Sequence, residues 1–309
     1  MAYTADTAAT SGHGAHKGYH RARLSDIALT LIAPITWGTT YVVTTELLPP
    51  DRPLLASLLR ALPAGLLLLA ITRQLPRGDW WWKAAVLGTL NFGAFFPLLF
   101  LAAYRLPGGV AATIAAVQPL IVLAVAYLVF RTRPTLWSLG AALAGVLGVG
   151  LLVLTAAGAL DTTGVIAQLT GITMMGTAIV LAKKWGRPQG TSMLSIAGWQ
   201  MTMGGLMLIP VALIGEGIPP SLTGTNILGY AYLTIIGGAL AYVCWFRGIE
   251  RLPSTSVVFL GLANPMTATL AGLVILGQTL TAWQTVGFVI ALAAMVTSQV
   301  TPNTKRHPT

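Results

Sequence analysis

Arg105-Leu106-Pro107, ten residues, then Gln118-Pro119; and again Arg251-Leu252-Pro253, ten residues, then Asn264-Pro265: the same signs recur in the same order 146 residues apart. Repetition at this distance is the mark of a duplicated unit. When a duplication coincides with apolar helices interrupted by proline, the chain has the make-up of membrane proteins that build a site between two halves.

Composition fixes the solvent. Hydrophobic residues make up 55% of the 309 and charged residues only 8%, with a mean hydropathy of +0.76, which leaves too little surface charge for a water-soluble domain. The net charge of +10 does not point to nucleic acid, because the cations fall in the gaps between apolar runs instead of on one folded face. A single cysteine, Cys244, excludes an intrachain disulfide. The first 23 residues are polar and lack a short apolar core with a small-residue cleavage site, so the first apolar run reads as a retained anchor.

A helix needs about 20 apolar residues to cross a bilayer. Ten runs qualify, near 26–48, 54–72, 84–103, 108–130, 135–157, 164–182, 192–214, 226–246, 254–276 and 281–300. They do not alternate in the manner of barrel strands. With the N-terminus cytoplasmic, 15 cationic residues lie in the inner gaps and tails (Lys17, Arg21, Arg23, Arg73, Arg77, Lys83, Arg131, Arg133, Lys183, Lys184, Arg187, Arg247, Arg251, Lys305 and Arg306) against only Arg52 and Arg105 outside. That asymmetry obeys the positive-inside rule. The expected fold is therefore an all-α integral membrane protein of ten transmembrane helices with both termini cytoplasmic. Five spans per half is an odd number, so the halves form inverted repeats. The boundaries read as a disordered tail 1–24, a first repeat 25–158, a second repeat 163–300 and a tail 301–309. Further landmarks pair Trp37-Gly38-Thr39 with Met175-Gly176-Thr177, and Trp137 with Trp283.

The ten spans, Trp37-Gly38, Arg60 in the second span and the stretch Ala241-Tyr242-Val243-Cys244-Trp245-Phe246-Arg247-Gly248-Ile249-Glu250-Arg251-Leu252 resemble the EamA-type transporters of the drug/metabolite transporter superfamily over nearly the whole chain after residue 24. The resemblance implies a bacterial inner-membrane carrier, commonly an exporter of amino acids or other small metabolites, working by alternating access around a central cavity. It names no substrate.

The candidate site follows from depth. Pro119 and Pro265 fall near mid-span, where each frees the carbonyl four residues earlier, at Ala115 and Gly261. Free carbonyls and amides at that depth must face protein or a wet cavity, so Gln118 and Asn264 either line the site or re-satisfy the kinked backbone. Arg60 is the one cation within a span. Its alternatives are a guanidinium that snorkels outward or pairs with Glu46, and a fork for a substrate carboxylate. Trp37, Tyr41, Phe95, Trp199 and Tyr242, with the amides Asn91 and Gln200, lie away from span ends and have the make-up of a small-molecule cavity. Trp80, Trp81, Trp82, Trp137, Trp185 and Trp283 lie near span ends and read as an interfacial belt. Gly140, Ala144 and Gly148 form a small-residue face for close helix packing, within one chain or in a homodimer.

Absences narrow the classes. All four histidines lie in the tails, and there is no zinc-peptidase helix, nucleophile elbow, P-loop or dinucleotide fingerprint. No catalytic residue, metal site or cofactor is expected. A receptor role would need a larger extramembrane part than loops of about a dozen residues. Sugar nucleotides or phosphorylated compounds, the main rival cargo, call for several cations in the cavity, where the sequence offers Arg60 alone. The expected partners are a small-molecule substrate and the lipid bilayer.

Overall fold

The computed structural model describes residues 12–131, 133–154, 161–252, 257 and 260–297. Pro253 of the second Arg-Leu-Pro motif and the tail 301–309 lie outside the described residues, as do the first 11 residues of the expected N-terminal tail. The described part is all helical: α1 (Gly12–Gly38), α2 (Thr40–Leu47), α3 (Pro53–Thr72), α4 (Trp80–Arg105), α5 (Gly108–Phe130), α6 (Leu136–Leu154), α7 (Thr162–Trp185), α8 (Met193–Gly215), α9 (Gly224–Arg251), α10 (Ala263–Leu276) and α11 (Ala282–Thr297). Six of these helices are long and apolar enough to cross a membrane, and α1 with α2, bent by 43° where they meet, makes a seventh candidate; α6, α10 and α11 are shorter apolar helices. The expected disordered tail is helical from Gly12 onward.

Packing repeats between the halves. Helix α3 lies along α8 and α6 along α11; α1 packs on α9 and α10, while α7 packs on α4 and α5. Close approach is made by glycine. A side chain on Gly65 would meet the Thr202 backbone N at 2.5 Å, and one on Gly205 would meet Leu62 Cα at 2.7 Å. Gly88 and Gly204 likewise hold α4 on α8: a side chain added at either would meet a carbonyl of the other helix at 2.4 Å. The small-residue face expected on α6 is only partly used: a side chain added at Gly148 would meet the Ala291 backbone N at 2.6 Å, but nothing lies within 4 Å of one added at Gly140.

Two sets of links define the ends of the bundle. At one end Arg52 donates to the Glu216 carbonyl at 2.7 Å, the Glu216 carboxylate accepts the Leu54 and Leu55 N–H groups at the start of α3, and Tyr104 donates to the Pro49 carbonyl. A carboxylate there complements the positive end of the helix dipole. At the other end Ser195 donates to Gln74 Oε1 at 2.7 Å and Trp199 Nε1 to the Gln74 carbonyl at 2.6 Å.

The ladder breaks at matching places. Helix α4 carries a π-helical segment at Thr89–Ala94 and α9 one at Tyr232–Leu240. In α4 the cause is Pro97, which offers no N–H to the Gly93 carbonyl and shifts the bonding of the turn before it. In α9 the Gly237-Gly238 pair loosens the backbone. Helix α5 narrows to a 3-10 turn at Ala115–Val117, directly before Gln118-Pro119. The carbonyl expected to be free at Ala115 is not: the tighter turn lets the Gln118 N–H reach it.

Gly148→Val should lower the thermal midpoint of the detergent-solubilised protein by several degrees, because the α11 backbone blocks the added methyls, whereas Gly140→Ala should leave it unchanged or slightly raised. Light-scattering or dye-based melting of the two variants checks this.

Candidate functional site

Arg60 lies on α3 with 3% of its surface exposed. It neither snorkels nor pairs with Glu46, which is exposed; among the described residues no carboxylate stands within ion-pair distance of it. Its partners are dipoles and rings. Nη1 donates to Thr40 Oγ1 at 3.2 Å and Nη2 to the Gly237 carbonyl at 3.4 Å, while Nε is buried with no partner. The guanidinium carbon lies 4.8 Å from the Phe96 ring centre and 5.8 Å from that of Phe100, close enough for cation–π attraction. Removing an ion from water costs on the order of several kcal/mol, and these neutral contacts offset only part of that.

The Gly237 carbonyl belongs to the π-helical segment of α9, where the backbone ladder is shifted. It accepts Trp37 Nε1 at 3.0 Å as well as Arg60. One residue along from Thr40, Thr39 shares a 2.7 Å hydrogen bond with the Tyr232 hydroxyl. Around this polar knot runs a chain of rings: Trp245 to Trp37 and Trp37 to Tyr242, both at 5.4 Å, then Tyr242 to Phe92 at 5.8 Å and Phe92 to Phe96 at 5.2 Å. Helices α1, α4 and α9 thus meet in an aromatic cluster with a buried cation at its edge.

Of the expected site residues, Trp37, Arg60 and Tyr242 come together here, with Tyr41 buried nearby and Phe95 stacked on Phe96 at 5.9 Å. Asn91 and Gln200 satisfy each other at 2.7 Å, joining α4 to α8. Trp199 is elsewhere, packed on Trp80 in a second apolar cluster at the Gln74 end. That pairing buries Trp80, whereas Trp81, Trp82, Trp137 and Trp283 are exposed. Gln118 is half-buried at the start of the lower half of α5. Asn264 lies against Gly38, where an added side chain would meet the Asn264 backbone carbonyl at 2.6 Å, and its Oδ1 is buried with no partner. The sequence reading missed Thr39, Thr40, Phe96, Phe100, Tyr232 and Gly237. Only the Gly237-Gly238 pair inside an apolar run, a mark of loosened or closely approached backbone, pointed to any of them.

Ion pairs centred on two aspartates, Asp26 and Asp161, link these helices to their neighbours. Arg247 Nε and Nη2 both lie 2.9 Å from Asp26 Oδ1, and Arg251 Nη1 lies 3.7 Å from it, linking α9 to α1. Arg105 Nη1 lies 3.1 Å from Asp161 Oδ2, linking α4 to the start of α7. Both arginines of the repeated Arg-Leu-Pro motif are thereby engaged.

Residues 24–154 and 162–298 each match the EamA-like transporter family. The chain belongs to that family. Protein PecM of Dickeya dadantii is 45% identical over 278 residues, covering 90% of this chain and 92% of that protein. The uncharacterized inner membrane transporter YicL of Salmonella typhimurium is 28% identical over 281 residues, covering 86% and 92%. A solved crystal structure with 18% identity superposes with a TM-score of 0.61 over 89% of this chain and 96% of its own length, a likeness of fold. EamA membership makes this a membrane transporter with duplicated halves, and not an enzyme.

Asp161 accepts the Gly164 N–H at 2.9 Å and faces Arg105; the backbone N–H first and the arginine second hold its carboxyl below the ordinary carboxylate value. A depressed folded-state pKa keeps the ionised form, and with it the Arg105 link, above the ordinary carboxylate range. The link should survive mild acidification and be lost only as pH falls through that lowered value. Infrared difference spectra comparing the native protein with Asp161→Asn would report the protonation.

Proposed function

We propose that this EamA transporter is an inner-membrane secondary carrier of ten spans, built as inverted repeats over 25–158 and 163–300, that exports amino acids or related small metabolites by alternating access. The observation that carries the reading is Arg60: a guanidinium buried where the two halves meet, held by a hydroxyl, a carbonyl and two rings in place of a counter-ion. A substrate carboxylate supplies the missing charge, and a planar fork binds it bidentately. A single cation favours one carboxylate over the several charges of a nucleotide or phosphorylated sugar. The positive-inside distribution supports cytoplasmic termini, which makes the Arg52 end external.

The two ion pairs support the cycle. Exchange of the halves carries α4 and α7 onto α9 and α1, and with them Arg105–Asp161 onto Arg251–Asp26. Opening one end breaks one pair while the other holds. Among the described residues, acidic groups stand near the ends of the apolar spans and in loops, which favours downhill export or exchange over proton coupling.

Comparing extracellular metabolites with and without expression identifies the cargo, and efflux from proteoliposomes then tests it. Arg60→Lys should cut efflux at least about tenfold with normal membrane insertion; unchanged efflux would overturn the role given to the fork. Asp26→Asn and Asp161→Asn should shift the accessibility of engineered cysteines at the two ends in opposite directions. A shift in the same direction would refute the paired gates.

A further inference from the structure

Beside the buried guanidinium lies a groove of about 700 Å³ between α2, α9 and α10, lined by Thr39, Val43, Glu46, Ala231, Ile235 and Ile275 among others. Its walls are almost wholly apolar, and Glu46 is its one carboxylate. The groove and Arg60 are neighbours through both helices. Thr39, on the wall, precedes the Thr40 that holds Nη1; Ile236, also on the wall, precedes the Gly237 that holds Nη2. The Thr39–Tyr232 hydroxyl pair, both members lining the groove, stands at this boundary.

Beside Nη2 the backbone leaves room for a methyl group at Gly237. A methyl group placed on Gly237 would find its nearest neighbours, Arg60 Nη2 and the Tyr232 carbonyl, no closer than 3.9 Å. The adjacent Gly238 is by contrast filled, with Ala64 Cβ at 2.9 Å. Nε, buried and unpartnered, is a donor with nothing to bind.

We infer that the groove and Arg60 form one site for an amphipathic monocarboxylate of drug-like size, its carboxylate on the guanidinium and its apolar body between α2, α9 and α10. This rests on the carrier reading above, since it takes Arg60 to face cargo. Size comes from the groove, whose volume lies within the roughly 300–1,000 Å³ of pockets that enclose drug-sized ligands and far exceeds what one small amino acid fills. Charge comes from its two ends. A carboxylate takes over Nη2 from the Gly237 carbonyl, which keeps its bond from Trp37, and it also satisfies Nε, so binding strands no polar group. Glu46 lies six residues beyond Thr40, about 9 Å along the helix, and opposes a second negative charge on the distal part of the ligand. Parting the Thr39–Tyr232 pair admits the carboxylate.

The test uses the full chain in lipid nanodiscs and energy transfer from its tryptophans to dansyl probes. N-dansylglycine should bind saturably, while dansylamide, which lacks the carboxylate, and N-dansylglutamate, which carries a second one, should bind at least tenfold more weakly. Arg60→Gln should abolish the preference for the carboxylate. Ala231→Trp, which places a ring in the open groove and leaves the helix contacts intact, should abolish binding without lowering the thermal midpoint. Equal affinity for N-dansylglycine and dansylamide, binding that survives Ala231→Trp, or a signal that never saturates, as for a groove occupied by lipid tails, would overturn the inference. Efflux of small amino acids that persists without dansyl binding would overturn it while leaving the exporter reading in place; loss of both would remove that reading too.

Discussion

A positive charge buried in a low-dielectric bundle without a negative partner is the constraint around which the centre of this EamA transporter is arranged. Arg60 must be solvated by whatever the helices can present. Thr40 presents a hydroxyl, α4 presents the faces of Phe96 and Phe100, and α9 presents a main-chain carbonyl at Gly237. The last lies in the π-helical segment of α9, where the backbone bonding is shifted from the α pattern. In a regular α-helix that carbonyl would be pointed along the axis and engaged with its own chain. The irregular segment, the glycine pair inside it and the buried arginine are therefore one physical arrangement.

The few carboxylates of the chain, eight in 309 residues, are placed elsewhere. Asp26 and Asp161 neutralise arginines at the ends of the helices that meet around Arg60, and Glu216 caps α3. The Arg105–Asp161 pair is exposed on both sides, and single surface pairs are worth little, about 0–1 kcal/mol; Asp26 is buried, and it is its arginines that reach water. A link as weak as Arg105–Asp161 suits a contact that must break and re-form. A carboxylate beside Arg60 would make a tight buried pair, costly to separate, and would close the site to anionic cargo. The distribution of acids between ends and centre is what the proposed cycle requires.

Much of the architecture was legible because it rests on composition and spacing. Apolar runs of bilayer length, their order and the duplication can be counted, and the family matches fall on both halves. The site was legible only in part. Depth within a span brought out Trp37, Arg60 and Tyr242, but depth does not give the helix face, so Trp199 and the Asn91–Gln200 pair, which bind helices to one another, were grouped with them. The partners of Arg60 stayed hidden for a different reason. A main-chain carbonyl freed by a π turn has no residue signature, and threonines in apolar helices ordinarily bond to their own backbone, as Thr44 and Thr113 do here. Likewise, Pro119 predicted a freed carbonyl at Ala115, yet a local change to 3-10 geometry repaired it.

The two halves are alike in packing and unlike in the site, and the two facts answer different demands. Alternation between two states needs their free energies to lie within a few kcal/mol of each other, and similar helix contacts with similar end pairs in each half provide that balance. Recognition needs no such balance. Where α1 bends at Gly38 and places Trp37 on the Gly237 carbonyl, the matching landmark in α7 is Met175 before Gly176 in a helix that runs unbroken from Thr162 to Trp185. Arg60, too, is the single cation placed within a span by the apolar pattern, with none in the equivalent stretch of α8. The parts that must stay energetically matched are alike in the two halves and the residues around the proposed site are not, so the proposed switch can be nearly symmetric while the site it exposes is not.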